Sequence, residues 1–137
     1  MATGSCLCGA VTYEYKGSPM VTALCHCTDC QKWSGGAYTS NIVVPRSEFS
    51  VTKGQDTTKS YKATGDSGKI NEHWFCSQCG SSLYTLLDVM PDAVCIKSGS
   101  IDDKGVRDYS VGMEFYCKDR LGYVKPNEGA KQEPVFG

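Results

Sequence analysis

Of the nine cysteines in this 137-residue chain, seven fall in three short groups whose spacing suits metal ligation: Cys6-Leu7-Cys8-Gly9, Cys25-His26-Cys27-Thr28-Asp29-Cys30 and Cys76-Ser77-Gln78-Cys79-Gly80. An odd count would leave one thiol over in a pure disulfide framework, and CxC and CxxC clusters suit a metal better than bridges. In an extended strand, residues two apart share a face, so Cys6 with Cys8 and Cys25 with Cys27 are expected to offer their sulfurs in pairs. The CxxCG run ending at Gly80 has the tight-turn spacing of zinc ribbons, with glycine letting the backbone turn beneath the metal.

A closed tetrahedral zinc site needs four ligands. The most economical partition joins one CxC pair to the CxxC pair and leaves Cys25, Cys27 and Cys30 as a second site with one coordination position open, the arrangement expected of a catalytic zinc. Three thiolates outweigh the charge of a zinc dication, so this centre is a weaker Lewis acid than a three-histidine one, which disfavours hydrolysis by zinc hydroxide. A soft, sulfur-rich site is better suited to holding an incoming thiol as thiolate. The expected chemistry is therefore making or breaking a carbon–sulfur bond in a thiol or thiol adduct, with proximity rather than strong acid–base catalysis as the main source of rate.

The competing reading is a non-catalytic zinc-binding interaction module, its second site closed by His26, Cys95 or Cys117. Strand alternation aims His26 away from its neighbours. Cys95, in Ala93-Val94-Cys95-Ile96, and Cys117, in Phe115-Tyr116-Cys117, read as core, since free cysteine is among the most buried residue types. His73, in Asn71-Glu72-His73-Trp74-Phe75, is a candidate acid or base because its unperturbed pKa is close to neutrality, with a plain strand-face histidine as the alternative.

The elements that must position these groups are mostly strands. Runs rich in β-branched and aromatic residues at Val11–Tyr15, Val21–Cys27, Tyr38–Val44, Phe49–Lys53, Lys59–Ala63, Ile70–Phe75, Ser82–Leu87, Ala93–Ser98 and Met113–Lys118 are separated by Gly, Pro, Asn, Asp or Ser turn signals. No window carries apolar residues at helical spacing for three turns, and the one expected helical turn is Thr28–Ser34. The fold class is mainly β with very little helix. Length sets one zinc-binding β domain over residues 1–124, and the Pro-, Gly-, Glu- and Lys-rich stretch 125–137 is expected to be a mobile C-terminal tail.

The formal charge of −1, with both signs interspersed, gives no basic field for nucleic acid or an acidic membrane surface. The N-terminus shows no basic region followed by an apolar run, and no stretch approaches the roughly 20 apolar residues of a membrane span. A soluble, cytoplasmic protein is expected.

The order Gly4-Ser5-Cys6-Leu7-Cys8-Gly9-Ala10-Val11, Cys25-His26-Cys27-Thr28-Asp29-Cys30-Gln31-Lys32 and Phe75-Cys76-Ser77-Gln78-Cys79-Gly80-Ser81-Ser82-Leu83-Tyr84 resembles the glutathione-dependent formaldehyde-activating enzyme family, which also contains centromere protein V. The resemblance covers Gly4 to Lys118. It implies an Mss4-like fold of antiparallel β-sheets, a structural zinc at Cys6, Cys8, Cys76 and Cys79, and a catalytic zinc at Cys25, Cys27 and Cys30. It further implies carbon–sulfur lyase activity, such as the reversible formation of S-hydroxymethylglutathione from glutathione and formaldehyde, or a related reaction of another thiol adduct in specialised metabolism.

Overall fold

The computed structural model describes residues 1–136. The strands are β1 (Ala2–Ser5), β2 (Thr12–Tyr15), β3 (Val21–Cys25), β4 (Thr39–Pro45), β5 (Phe49–Lys53), β6 (Thr58–Thr64), β7 (Ile70–Cys76), β8 (Ser82–Leu87), β9 (Met90–Lys97), β10 (Met113–Phe115) and β11 (Lys131–Gln132). The single α-helix among the described residues, α1 (Thr28–Ser34), lies where the sequence placed its one helical turn. The strands form a small sheet in the order β1-β2-β5 and a large one in the order β11-β10-β3-β4-β9-β8-β7-β6.

Strand alternation gives the large sheet two different faces. Ile42 and Val44 of β4, Leu83 of β8, and Val94 and Ile96 of β9 pack with Tyr13 and Tyr15 of the small sheet, and with Val11 just before it, into the main core. Each such aliphatic side chain contributes about 1.5–3 kcal/mol by leaving water. The intervening residues, Asn41 and Val43 of β4 and Cys95 and Lys97 of β9, turn to the opposite face. Cross-strand pairing sets Asn41 against Lys97 and Val43 against Cys95, and a second, smaller apolar cluster of Val43, Ala93 and Cys95 forms there. That second face also carries a cavity, lined in part by Asn41, Val43, Cys95 and Lys97.

Two expectations are corrected at the sheet edge. The sheet is mixed rather than wholly antiparallel, because the chain returns to lay β10 parallel to β3 and β11 parallel to β10. The stretch from residue 125 onward, expected as a mobile tail, is bound to the domain through residue 136: Asn127 N and Gln132 Nε2 donate to Glu114 Oε2 at 2.8 and 2.7 Å, and Phe136 stacks on Phe115 with ring centroids 5.0 Å apart. Its composition suggested a solvated chain, but a fully buried carboxylate must find donors, and this stretch supplies them. The last residue of the expected tail, Gly137, lies outside the described residues.

Among the described residues, no helix is long and apolar enough to cross a membrane.

Candidate metal centres

The Cys6 and Cys76 groups are two tight turns facing one another. Gly9 N donates to Cys6 O at 3.1 Å and Gly80 N to Cys76 O at 2.8 Å, each turn ending in a glycine with positive φ, 78° and 76°. The four sulfurs of Cys6, Cys8, Cys76 and Cys79 lie within 4.8 Å of one another; Cys6 and Cys8 Sγ are 3.6 Å apart, and Cys8 and Cys76 Sγ 3.8 Å. A tetrahedron with zinc–sulfur bonds of about 2.3 Å has sulfur–sulfur edges of about 3.8 Å, so the set matches zinc in both donor type and size. Val11 N donates to Cys6 Sγ at 3.2 Å, and Ser81 Oγ lies 3.1 Å from Cys79 Sγ. Hydrogen bonds from Ser81 hold the Cys79 thiol down to about 5, which favours the thiolate a metal needs.

Cys25, Cys27 and Cys30 bring their sulfurs within 4.8 Å of one another, and no further His, Cys, Asp or Glu ligand atom among the described residues joins them. Cys25 ends β3, Cys27 is the N-cap of α1 and accepts from Cys30 N at 3.3 Å, and Cys30 sits in the first helical turn. Hydrogen bonding to Cys25 and Cys27 lowers the proton affinity of Cys30, with Lys97 and Thr39 helping, while hydrogen bonding to Cys27 and Cys30 pushes Cys25 far up. Three thiols held within 4.8 Å of one another are chemically fit to bind a soft cation.

Strand alternation, expected to pair the sulfurs of each CxC, does not do so. Neither pair lies along a strand: Cys6 and Cys8 converge through a turn, and Cys25 and Cys27 through the passage from strand end to helix cap. His26, also outside the strand, is not among the clustered ligands; it has no exposed surface and donates from Nε2 to Glu114 Oε1 at 2.7 Å. Cys117 is elsewhere, 3.4 Å from Glu114 O and 3.3 Å from Gln132 Oε1. Cys95 is 9% exposed and lines the cavity beside the triad without joining it.

That cavity, of about 180 Å³, opens against the three-cysteine group on the second face of the large sheet. Val21, Ala23, Val43, Leu87 and Met90 make apolar walls; Asn41, His73, Thr85 and Lys97 are among the polar groups that line it, with Asp66 and Asn71 also on its border. His73 Nδ1 lies 2.9 Å from Thr85 Oγ1, whereas Nε2 is buried with no protein partner. Trp33 of α1 packs on the His73 ring at 4.6 Å. Burial, reinforced by the Lys97 charge, lowers the His73 pKa and keeps the imidazole neutral at pH 7. Lys97 and Asn41 were not singled out from the sequence; the signal was there in Lys97 lying two residues beyond Cys95 on one strand, and hence on the same face.

Two antiparallel-rich sheets joined through paired cysteine turns, with an open three-cysteine group on a cavity, define the class of protein. A sequence model of the family described as glutathione-dependent formaldehyde-activating enzyme matches residues 1–119, and the chain belongs to that family. A Podospora anserina protein named after the same enzyme is 31% identical over 88 residues, covering 63% of this chain and 39% of that relative, so the match spans about two fifths of the relative's length. The crystal structure of a Rhodobacter sphaeroides protein superposes with a TM-score of 0.64 at 22% identity, covering 80% of this chain and 96% of that one, which establishes the shared fold.

Proposed function

We propose that the chain holds two zinc ions, one in the closed four-cysteine group and one in the open three-cysteine group, and acts as a carbon–sulfur lyase on a thiol adduct. The reaction is the reversible addition of a thiol across an aldehyde carbonyl, of which glutathione with formaldehyde is the family's example. In the forward direction the sulfur–carbon bond forms, the carbonyl π pair moves to oxygen, and the proton of the thiol ends on that oxygen. A zinc ion held by Cys25, Cys27 and Cys30 would lower the pKa of a thiol entering its free position and keep it nucleophilic near neutral pH.

The observation that carries this reading is the three-sulfur group bordering a cavity, partly open to solvent, with no fourth protein ligand beside it among the described residues. The cavity's walls would hold the carbonyl partner next to the sulfurs, and such positioning can supply about 7–11 kcal/mol of barrier reduction. His73, neutral and with an unpaired Nε2 in the same cavity, is the group placed to take the thiol's proton and return it to oxygen. The reading sets the protein in the cytoplasm, where thiols stay reduced, in keeping with its free cysteines.

Metal stoichiometry on protein purified without chelator tests the reading. Two zinc ions per chain are expected, one of them labile to mild chelation, and cobalt substituted at the labile position should change its thiolate charge-transfer absorption when glutathione is added. Two inert ions with no response to thiol would overturn the catalytic reading in favour of a zinc-stabilised interaction module.

A further inference from the structure

Lys97 is a buried ammonium, 8% exposed, that forms no salt bridge with any carboxylate among the described residues. A buried charge needs compensation. Part of it comes from Asn41 Oδ1, which accepts from Nζ at 2.5 Å, and part from the Trp33 ring, whose centroid is 5.5 Å away. The Asn41 amide is fixed in this orientation, because its Nδ2 is engaged with Ala23 O and Thr39 O, each at 3.2 Å, and with Thr39 Oγ1 at 3.1 Å, which holds Oδ1 toward the lysine. An ammonium has three N–H donors, so this arrangement holds Nζ in place while leaving donor capacity for a bound molecule.

Around that point the walls are mostly apolar, with His73 and Thr85 as polar groups among them. A closed cavity of about 150 Å³ lined by aliphatic and aromatic side chains accepts a benzene-sized molecule; this cavity is partly open to solvent, and its volume of about 180 Å³ leaves room for a body of that size. Formaldehyde alone would leave most of it filled by water lying against Val43, Leu87 and Met90.

We propose that the cavity binds a carbonyl compound with an apolar body of about benzene size, or the hydroxyl-bearing thiol adduct made from it, its oxygen on Lys97 Nζ and its body against Val43, Leu87 and Met90. The carbonyl class rests on the lyase function proposed for the three-cysteine site. The oxygen contact and the apolar body rest on the cavity alone.

Titration of the as-purified protein with benzyl alcohol and with toluene, followed by ligand-observed NMR, tests this without turnover. The native protein should bind benzyl alcohol at least about tenfold more tightly than toluene, because toluene leaves the N–H groups not taken by Asn41 without an acceptor. Lys97→Met should abolish that preference while still binding toluene. Failure of the native protein to bind either compound, equal binding of both, or a preference that survives in Lys97→Met each overturns the proposal. Should Lys97→Met not fold, the comparison of the two ligands on native protein decides it alone. Loss of the zinc or thiol reading would leave these affinities unchanged, so the two failures are distinguishable.

Discussion

Glu114 accepts a hydrogen bond from His26 Nε2 at 2.7 Å, and neither residue has any exposed surface. The contact ties β10 to the residue between Cys25 and Cys27, so the edge of the sheet helps position the three-cysteine group. Glu114 also receives Asn127 N, Gln132 Nε2 and, at 3.4 Å, Arg120 Nη2. Glu114→Gln replaces an acceptor-only group by one with a donor face that meets donors. A loss of about 3 kcal/mol in urea unfolding is expected, with faster amide exchange at Asn127 and Glu133. A loss under about 1 kcal/mol, within the range of a surface change, would mean that the network does not hold the edge.

The same carboxylate makes stability depend on pH. Burial alone would raise its pKa, but hydrogen bonds from Gln132, His26 and Asn127 N, with Arg120 nearby, bring it from 4.5 down to about 2. The folded state therefore binds this proton less readily than the unfolded chain. Its contribution is complete above pH 4.5 and drains away as pH falls toward about 2. The stability difference between native protein and Glu114→Gln should shrink across that window. Taking the difference cancels the thiolates, which protonate in both proteins; a gap that stays constant all the way down to pH 2 would show that Glu114 is not held ionised in the fold.

The parts legible in the sequence are those governed by local pattern. β5 and β8 fall on the expected residues, and α1 spans Thr28–Ser34 because Cys27 caps it and Gly35 ends it with φ 70°. The parts that were not legible depend on distant partners. β1, Ala2–Ser5, has no strand-like run of its own and exists because β2 pairs with it. β11 sits in a polar, turn-rich stretch and is held by Glu114, whose burial nothing nearby in sequence announces. The sulfurs grouped by cysteine spacing do lie together although the strand geometry invoked for it was wrong, since turns and helix caps converge side chains at the same short separations. Lys97 read as an ordinary strand residue because its partner Asn41 is 56 positions away.

Gly54 supports the first cysteine turn from beneath. Its φ is +83°, and a Cβ there would lie 2.3 Å from Ala10 O and 3.0 Å from Val11 Cα, both backbone atoms between Cys8 and β2. Gly54→Ala combines a strained backbone with a contact that only main-chain movement can relieve. It is expected to destabilise the fold by about 2 kcal/mol or more, and to loosen metal held by the four-cysteine group, read as faster release to a chelator. Gly68, also at positive φ (+82°) but with open space around its Cβ position, is the control: Gly68→Ala should cost about 1 kcal/mol and leave metal release unchanged.

The two cysteine groups should differ most sharply in what their loss does to folding. A metal shared by Cys6, Cys8, Cys76 and Cys79 joins segments 68 residues apart at Cys8 and Cys76 and closes a long loop, so its binding energy is largely folding energy. Cys76 has no exposed surface and belongs to the main core. Cys79→Ser is expected to prevent cooperative folding at room temperature. Cys27, by contrast, sits in a group whose members are local in sequence, and its second role is to cap α1 by accepting from Cys30 N. Serine is among the preferred N-cap residues, so Cys27→Ser keeps the cap and should shift stability by less than about 1 kcal/mol, while removing the labile metal and thiol-dependent activity. Thermal melts of both variants with metal analysis decide the point, and a Cys27→Ser protein that unfolds as severely as Cys79→Ser would show that both groups are structural.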